Sequence, residues 1–133
     1  MKRKTLFVTK HIVGGDDLTG NGTRGWPAFC LEDETMVFLK DYWRAADTHP
    51  ELETYHRLRQ HGVRNIATAL AGGDVDGPHG VQRTMSQRFF DCSVNAPERI
   101  HTRLVLKEIC RPLDTYKGSK ELISVTTQAL TGA

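Results

Sequence analysis

The chain has 133 residues, which is enough for one small domain and too few for two. Hydrophobic residues make up 38% of the chain and charged residues 26%, values typical of a soluble globular protein. With 18 basic and 16 acidic residues, the formal charge of +2 is too even to predict nucleic-acid binding by bulk charge.

The amino-terminal third of the chain is predicted to form strands around a glycine-rich turn. Residues 5–13 mix β-branched, aromatic and polar types, as strands do, and residues 14–25 contain the turn. Residues 26–31 are predicted to form a second strand. Residues 36–39 are a short apolar run, typical of a buried strand, and the run ends at Lys40.

A helix is predicted to follow. Thr48 precedes Glu51 by three residues, which fits a capping box at the start of a helix. Gly62 is a suitable helix stop. Between them, apolar side chains recur at helical spacing at Leu52, Tyr55 and Leu58.

The second half is predicted to contain two more strands and a final helix. The strands are residues 65–71 and 100–110, and residues 72–99 between them form a long loop in which 81–90 could fold as a hairpin. The helix is residues 119–130, with Ser119 as its cap. Its apolar face comprises Leu122, Val125 and Ala129. Because βαβ alternation is absent, we predict an α+β fold, a mostly antiparallel sheet with one packed helix.

A glycine motif, Gly-x-Gly-x-x-Gly, is formed by Gly20, Gly22 and Gly25. Glycines allow a backbone to approach phosphate oxygens closely, although the motif alone also fits an ordinary turn. A dinucleotide-binding fold requires a helix directly after the motif, and here a predicted strand follows. The order strand, glycine loop, strand is the arrangement of protein kinases.

Lys40 and a helical glutamate form the second candidate pair. A lysine that ends an apolar strand after such a loop suits pairing with phosphate oxygens, although a lysine at a strand edge is the simpler interpretation. A carboxylate partner would keep that lysine charged and in place. Helical spacing puts Glu51 on the face of Tyr55 and Leu58, which favours Glu51 over Glu53 as the partner.

The strand predicted at 100–110 becomes polar and then meets Pro112, a pattern that resembles a kinase hinge. In a hinge the backbone bonds the edge of an adenine base, which here would involve Leu106, Lys107 and Ile109. A strand that simply leaves its sheet would show the same pattern.

These segments together resemble the fungal-type protein kinase family across nearly the whole chain. The residues that carry the resemblance are 39–44 (Leu-Lys-Asp-Tyr-Trp-Arg), 51–58, 61–63, 71–75, 103–106, 111–113 and 119–122. The resemblance implies an ATP-dependent phosphotransferase acting on Ser/Thr hydroxyls, with ATP as its cofactor. It also implies an ATP-binding lobe at 1–109, followed by the hinge and the first helix of the large lobe at 110–133.

The sequence departs from the family in one important respect. Its 133 residues contain no His-Arg-Asp and no Asp-Phe-Gly motif, so the catalytic aspartate and the magnesium ligands of the complete family domain are absent from them. We therefore expect a kinase fragment that ends inside a helix and is inactive alone. The alternatives are a non-catalytic nucleotide- or protein-binding module and a generic α+β interaction domain.

The remaining patterns concern location and partners. Cys30, Cys92 and Cys110 lie far apart and are odd in number, which argues against a disulfide framework and favours an intracellular, cytoplasmic location. No apolar run approaches the roughly 20 residues that span a bilayer, and the histidines lack metal-ligand spacing. We expect no membrane, nucleic-acid or metal partner. ATP is the expected ligand, and no residue indicates which protein would be the substrate.

Overall fold

A computed structural model describes residues 4–10, 12, 14, 21–89 and 97–132. The strands in this part of the chain are β1 (Leu6–Val8), β2 (Arg24–Cys30), β3 (Thr35–Ala45), β4 (Ala69–Asp74), β5 (Asp76–Gly77), β6 (Gly80–Val81) and β7 (Arg99–Leu106). The helices are α1 (Glu51–Gln60) and α2 (Ser119–Leu130). Short 3₁₀ turns lie at Ser86–Arg88 and Leu113–Thr115.

The fold is α+β, as predicted. Five of the strands form an antiparallel sheet in the order β1-β2-β3-β7-β4, and β5 and β6 form a separate hairpin. Three strands, then α1, and a final helix α2 follow one another as predicted, but four strands and not the predicted two lie between the helices: β4 and β7 join the main sheet, and β5 and β6 are additional.

Strand β3 organises the sheet because it pairs with β2 on one side and β7 on the other. Lys40 lies opposite Gly25 on β2 and opposite Leu104 on β7. Side chains alternate between the faces of a strand, so the even-numbered residues of β3 and β7 share one face. That face contacts α1, because Leu52 and Tyr55 of the helix pack with Tyr42, Leu104 and Leu106.

The core consists of one apolar cluster on each face of the sheet. The cluster under α1 contains Leu104, which is 1% exposed, and full burial of such a side chain stabilises a fold by about 1.5–3 kcal/mol. The cluster on the opposite face contains Ala28, Cys30 and Val37, with Leu6, Leu39 and Val105 against them. The two clusters hold β3 from both sides and so fix the position of Lys40.

Strand β3 is longer than its apolar run suggested. It extends to Ala45, past a series of polar and aromatic residues, because β7 pairs with it as far as the Ala45–Arg99 position. Strand β1 is shorter than predicted and comprises Leu6–Val8. Residues 11 and 13 of the predicted strand lie outside the described residues.

Both predicted helix caps are wrong. Thr48 does not cap α1, because the residue directly before the helix is Pro50, with no side-chain cap; the Thr48 hydroxyl donates to the carbonyl of Ala45 at 2.8 Å. Ser119 is the first residue of α2 and Gly118 precedes it, again without a side-chain cap. A capping box would also need the Glu51 carboxylate, which instead contacts Lys40 on β3.

The region from 65 to 110 also differs from its prediction. Asn65 has φ of +60°, outside the β region, and β4 begins only at Ala69. β4 then continues to Asp74 into the predicted loop, because its last residues pair with β7. The hairpin is β5–β6 and not 81–90, of which residue 90 lies outside the described part. β7 ends at Leu106, before the predicted end at 110.

Candidate functional site

Lys40 and Glu51 meet on the helix-covered face of the sheet. Nζ of Lys40 lies 2.6 Å from Oε2 of Glu51, and their side chains are 27% and 30% exposed. The predicted ion pair is therefore confirmed. Glu53, the alternative partner, instead lies 3.6 Å from Nδ1 of His49 at the surface.

Tyr42 contacts both residues of this pair. Its hydroxyl accepts a hydrogen bond from the backbone amide of Glu51 at 3.4 Å, and Nζ of Lys40 lies 4.9 Å from the centre of its ring. Burial raises the pKa of Tyr42, so the hydroxyl stays neutral at physiological pH. Sequence reasoning missed Tyr42, although its position two residues after Lys40 on a strand places it on the same face.

The end of the glycine motif is fixed to β3. Gly20 lies outside the described residues. Gly22 has φ of +51°, the left-handed region that favours glycine, and the carbonyl of Asn21 accepts the amide of Trp43 at 2.8 Å. These contacts bring the carboxyl end of the predicted loop beside the strand that carries Lys40.

Gly25 needs to be glycine for a reason that the sequence did not indicate. A Cβ atom at this position would lie 3.2 Å from both Cε1 and Cε2 of Phe38, and closer still to Cζ. Gly25 is part of β2 and lies directly opposite Lys40. The absence of its side chain makes room for the Phe38 ring on the same face of the sheet.

The predicted hinge residues lie at the end of β7 and directly after it. Leu106 is its last residue and packs in the cluster under α1, whereas Ile109 is 40% exposed. The amide of Lys107 donates to the carbonyl of Thr68 at 2.9 Å. The segment is thus tied to the residues just before β4.

Glu108, which was not predicted, strengthens that connection. Its carboxylate accepts the amide of Thr68 at 2.7 Å and the Thr68 hydroxyl at 2.9 Å. Burial by itself would raise the pKa of Glu108, but these hydrogen bonds outweigh it and the pKa is lowered. The carboxylate therefore stays ionised and holds the segment after β7 in place.

The opposite face of the sheet carries a separate polar cluster around His101. Nε2 of His101 lies 2.8 Å from Asp41, Nδ1 lies 2.8 Å from Gln82, and the ring stacks on Trp43 with a centroid distance of 4.7 Å. Arg103 donates to the same carboxylate at 2.8 Å. Within the described ranges, no three His, Cys, Asp or Glu side chains are grouped closely enough to hold a metal ion.

A comparison with family models decides the relationship of the chain. The family described as "Fungal protein kinase" matches residues 1–89, which is more than half of the 133 residues.

The chain belongs to the fungal protein kinase family.

The family match covers β1 to the 3₁₀ turn at Ser86–Arg88. It therefore includes the glycine motif, Lys40 and its partner Glu51. The predicted hinge residues, Leu106, Lys107 and Ile109, lie beyond the matched range. No curated protein and no solved structure matches the chain. Neither helix of the described residues has both the length and the apolar character required to cross a membrane.

Proposed function

We propose that this chain is the ATP-binding amino-terminal part of a protein kinase domain that phosphorylates Ser/Thr hydroxyls in its complete form. Residues 1–109 would form the ATP-binding lobe, and residues 110–133 the hinge and the first helix of the large lobe. The observation that supports this proposal most directly is the ion pair between Lys40 and Glu51, which joins β3 to α1.

A lysine held by a helical carboxylate is suited to an anionic ligand. The partner restricts the position of the ammonium, and the partial exposure of Lys40 leaves it accessible to phosphate oxygens. In protein kinases, catalysis depends on positioning and charge stabilisation, and the lysine–glutamate pair supplies part of both. The donor set of this face therefore fits the phosphates of ATP.

The base of the nucleotide would lie against the segment after β7. The amide of Lys107 already donates a hydrogen bond to the carbonyl of Thr68, so it is not available to a base. We therefore assign the base contacts to the carbonyl of Lys107 and the backbone of Ile109. The glycine motif would approach the phosphates from β2. Leu106 would contribute apolar contact at the end of the strand.

Magnesium and the catalytic base would come from motifs that these 133 residues do not contain. When bound in the complete domain, magnesium ions neutralise charge that develops on the transferred phosphoryl group. The chain by itself would therefore bind nucleotide without transferring phosphate.

An NMR titration of the ¹⁵N-labelled chain with ATP tests the proposal, because it detects weak binding and locates it. We expect amide shifts at Gly22, Gly25 and Lys40. Lys40→Met should weaken binding by about tenfold or more, since a hydrogen bond to a charged group contributes about 1.5–3 kcal/mol.

Two matched controls come from exposed residues of the same types. Lys120→Met on α2 should leave binding unchanged, and Glu53→Gln should change it less than Glu51→Gln, because Glu53 faces His49. An ATP affinity that Lys40→Met leaves unchanged, or amide chemical-shift changes confined to α2, would contradict the proposed site.

A further inference from the structure

Three aromatic or basic side chains alternate along β3 on the face that α1 covers: Phe38, Lys40 and Tyr42. Tyr42 contacts both Lys40 and Glu51, as described above. Phe38 lies on the other side of Lys40, packs against the apolar cluster under α1 and remains partly exposed. Sequence reasoning assigned it no role beyond membership of an apolar strand.

The ring of Phe38 leans across the sheet toward β2. Its Cε1 and Cε2 atoms are equally distant, 3.2 Å, from the position that a Cβ of Gly25 would occupy, and Cζ is nearer. The ring tip thus points at the backbone of Gly25, which is itself opposite Lys40. Phe38 therefore covers the sheet surface next to Lys40.

Phe38 also lies between the two parts of the proposed site. It is opposite Leu106, the last residue of β7, and is two residues from Lys40, or about 7 Å along the strand. A ligand that places phosphate at Lys40 and a base at residues 107–109 has to pass over this ring.

We propose that Phe38 is a gate on the nucleotide site, an inference that rests on the proposed function. In the conformation described here the ring closes the route between Lys40 and the segment after β7. A nucleoside triphosphate binds after the ring has rotated away from Gly25. Position 38 then sets the affinity for nucleotide, although its side chain bonds neither phosphate nor base.

The gate lowers affinity because rotation gives up contacts with the cluster under α1. When the conformation that can bind ATP is only a small fraction of the molecules, the apparent dissociation constant equals the intrinsic one divided by that fraction. Minor states of this kind are commonly populated at about 0.1–10%. A smaller side chain at position 38 should therefore tighten ATP binding by about tenfold or more.

The test compares ATP titrations of the wild-type chain, Phe38→Val and Phe29→Val, followed by NMR. Phe29 is a matched control because it lies opposite Met36, on the same face of the sheet but beyond Phe38 on the side away from Lys40. Valine leaves an apolar side chain in the cluster, and near-ultraviolet circular dichroism from Trp26 and Trp43 checks that each variant is folded. Lys40→Met in the Phe38→Val background verifies that binding uses the same site.

A second measurement needs no substitution. If the ring must rotate first, the observed association rate of a fluorescent ATP analogue with the wild-type chain should level off at high ligand concentration. In Phe38→Val the same rate should rise in proportion to concentration. This readout remains informative even if Phe38→Val proves unstable.

The outcomes separate the gate from the proposed function. Binding that tightens at least tenfold in Phe38→Val, with Phe29→Val unchanged, supports both. Wild-type binding that Phe38→Val leaves equal or weakens, or a wild-type rate that never levels off, refutes the gate and leaves the proposed function standing. Absence of ATP binding in both folded proteins refutes the gate and the proposed function together.

Discussion

Arg44 on β3 and Asp74 on β4 form a bidentate ion pair although their strands are not neighbours. Nε of Arg44 lies 3.1 Å from Oδ1 of Asp74, and Nη2 lies 2.7 Å from Oδ2, above the intervening strand β7. Thr102 of β7, which is 2% exposed, donates its hydroxyl to the same carboxylate at 3.0 Å. Arg44 also donates to the carbonyl of Thr48 at 2.7 Å, which fixes the turn leading into α1.

Removing the carboxylate should destabilise the lobe. Asp74→Asn would leave the largely buried Arg44 guanidinium without its charged partner, at a cost of about 2 kcal/mol. Urea unfolding at neutral pH measures the loss. Asp76→Asn, at an exposed position two residues along the chain, should change stability little and serves as the control.

The same pair predicts how stability depends on pH. The hydrogen bonds from Arg44 lower the pKa of Asp74 below its usual 3.8, so the unfolded chain binds this proton more readily than the folded one. The contribution of the pair is complete above pH 3.8 and is lost as the pH falls through the lower folded pKa. The stability difference between wild type and Asp74→Asn should accordingly shrink in acid, and a difference that is constant down to pH 3 would contradict this assignment.

Gly25→Ala should destabilise the sheet because its methyl group would overlap the ring of Phe38. Overpacking of this kind costs about 1–3 kcal/mol. A double-mutant cycle measures the coupling, and the cost of Gly25→Ala should fall in a Phe38→Val background. Gly118→Ala is the control, since a Cβ there would meet nothing within 4 Å. Equal costs in both backgrounds would mean that Phe38 is not what requires a glycine at position 25.

Helix α2 should exchange its amide hydrogens faster than the central strand. None of its residues is buried, and Ile123, Val125 and Leu130 are 65%, 44% and 78% exposed. Isolated helices of this length are marginal in water, and exposed apolar surface favours self-association. Hydrogen exchange of the monomeric chain should therefore show residues 121–130 much less protected than residues 37–40.

One contact should protect the carboxyl end of α2 more than its first turns. Asn65 donates from Nδ2 to the carbonyl of Gln128 at 2.9 Å, and the amide of Arg64 donates to Gly132 at 2.8 Å. Asn65→Gly keeps the positive φ while removing the side chain, and should accelerate exchange at that end. Equal protection of α2 and β3 would show that the helix has found a stable partner surface within the chain.

The 133-residue chain should transfer no phosphate on its own. Phosphoryl transfer depends on metal ligands and a base that belong to motifs absent from this sequence. Purified chain incubated with ATP, magnesium and a general protein substrate should release no ADP above the blank. Turnover that Lys40→Met abolishes would overturn this expectation.

The sequence by itself determined the features that depend on local spacing. The order of glycine motif, lysine and helix can be read along the chain, and helical geometry distinguishes Glu51 from Glu53 because residues four apart share a face. The bounds of α2 also matched their prediction, since its apolar positions repeat with helical period. Capping was not predictable in the same way, because Thr48 bonds the carbonyl of Ala45 through both its amide and its hydroxyl and so belongs to the turn before the helix, which begins only at Glu51.

Only the tertiary structure decided the features that join distant segments. Arg44 and Asp74 are 30 residues apart in sequence, and their pairing depends on β7 entering the sheet between β3 and β4. The contact of Phe38 with Gly25 likewise depends on the register of β2 against β3, which no run of neighbouring residues specifies. Spacing along a chain records which side chains share one helix or strand, whereas packing between elements exists only after the chain has folded.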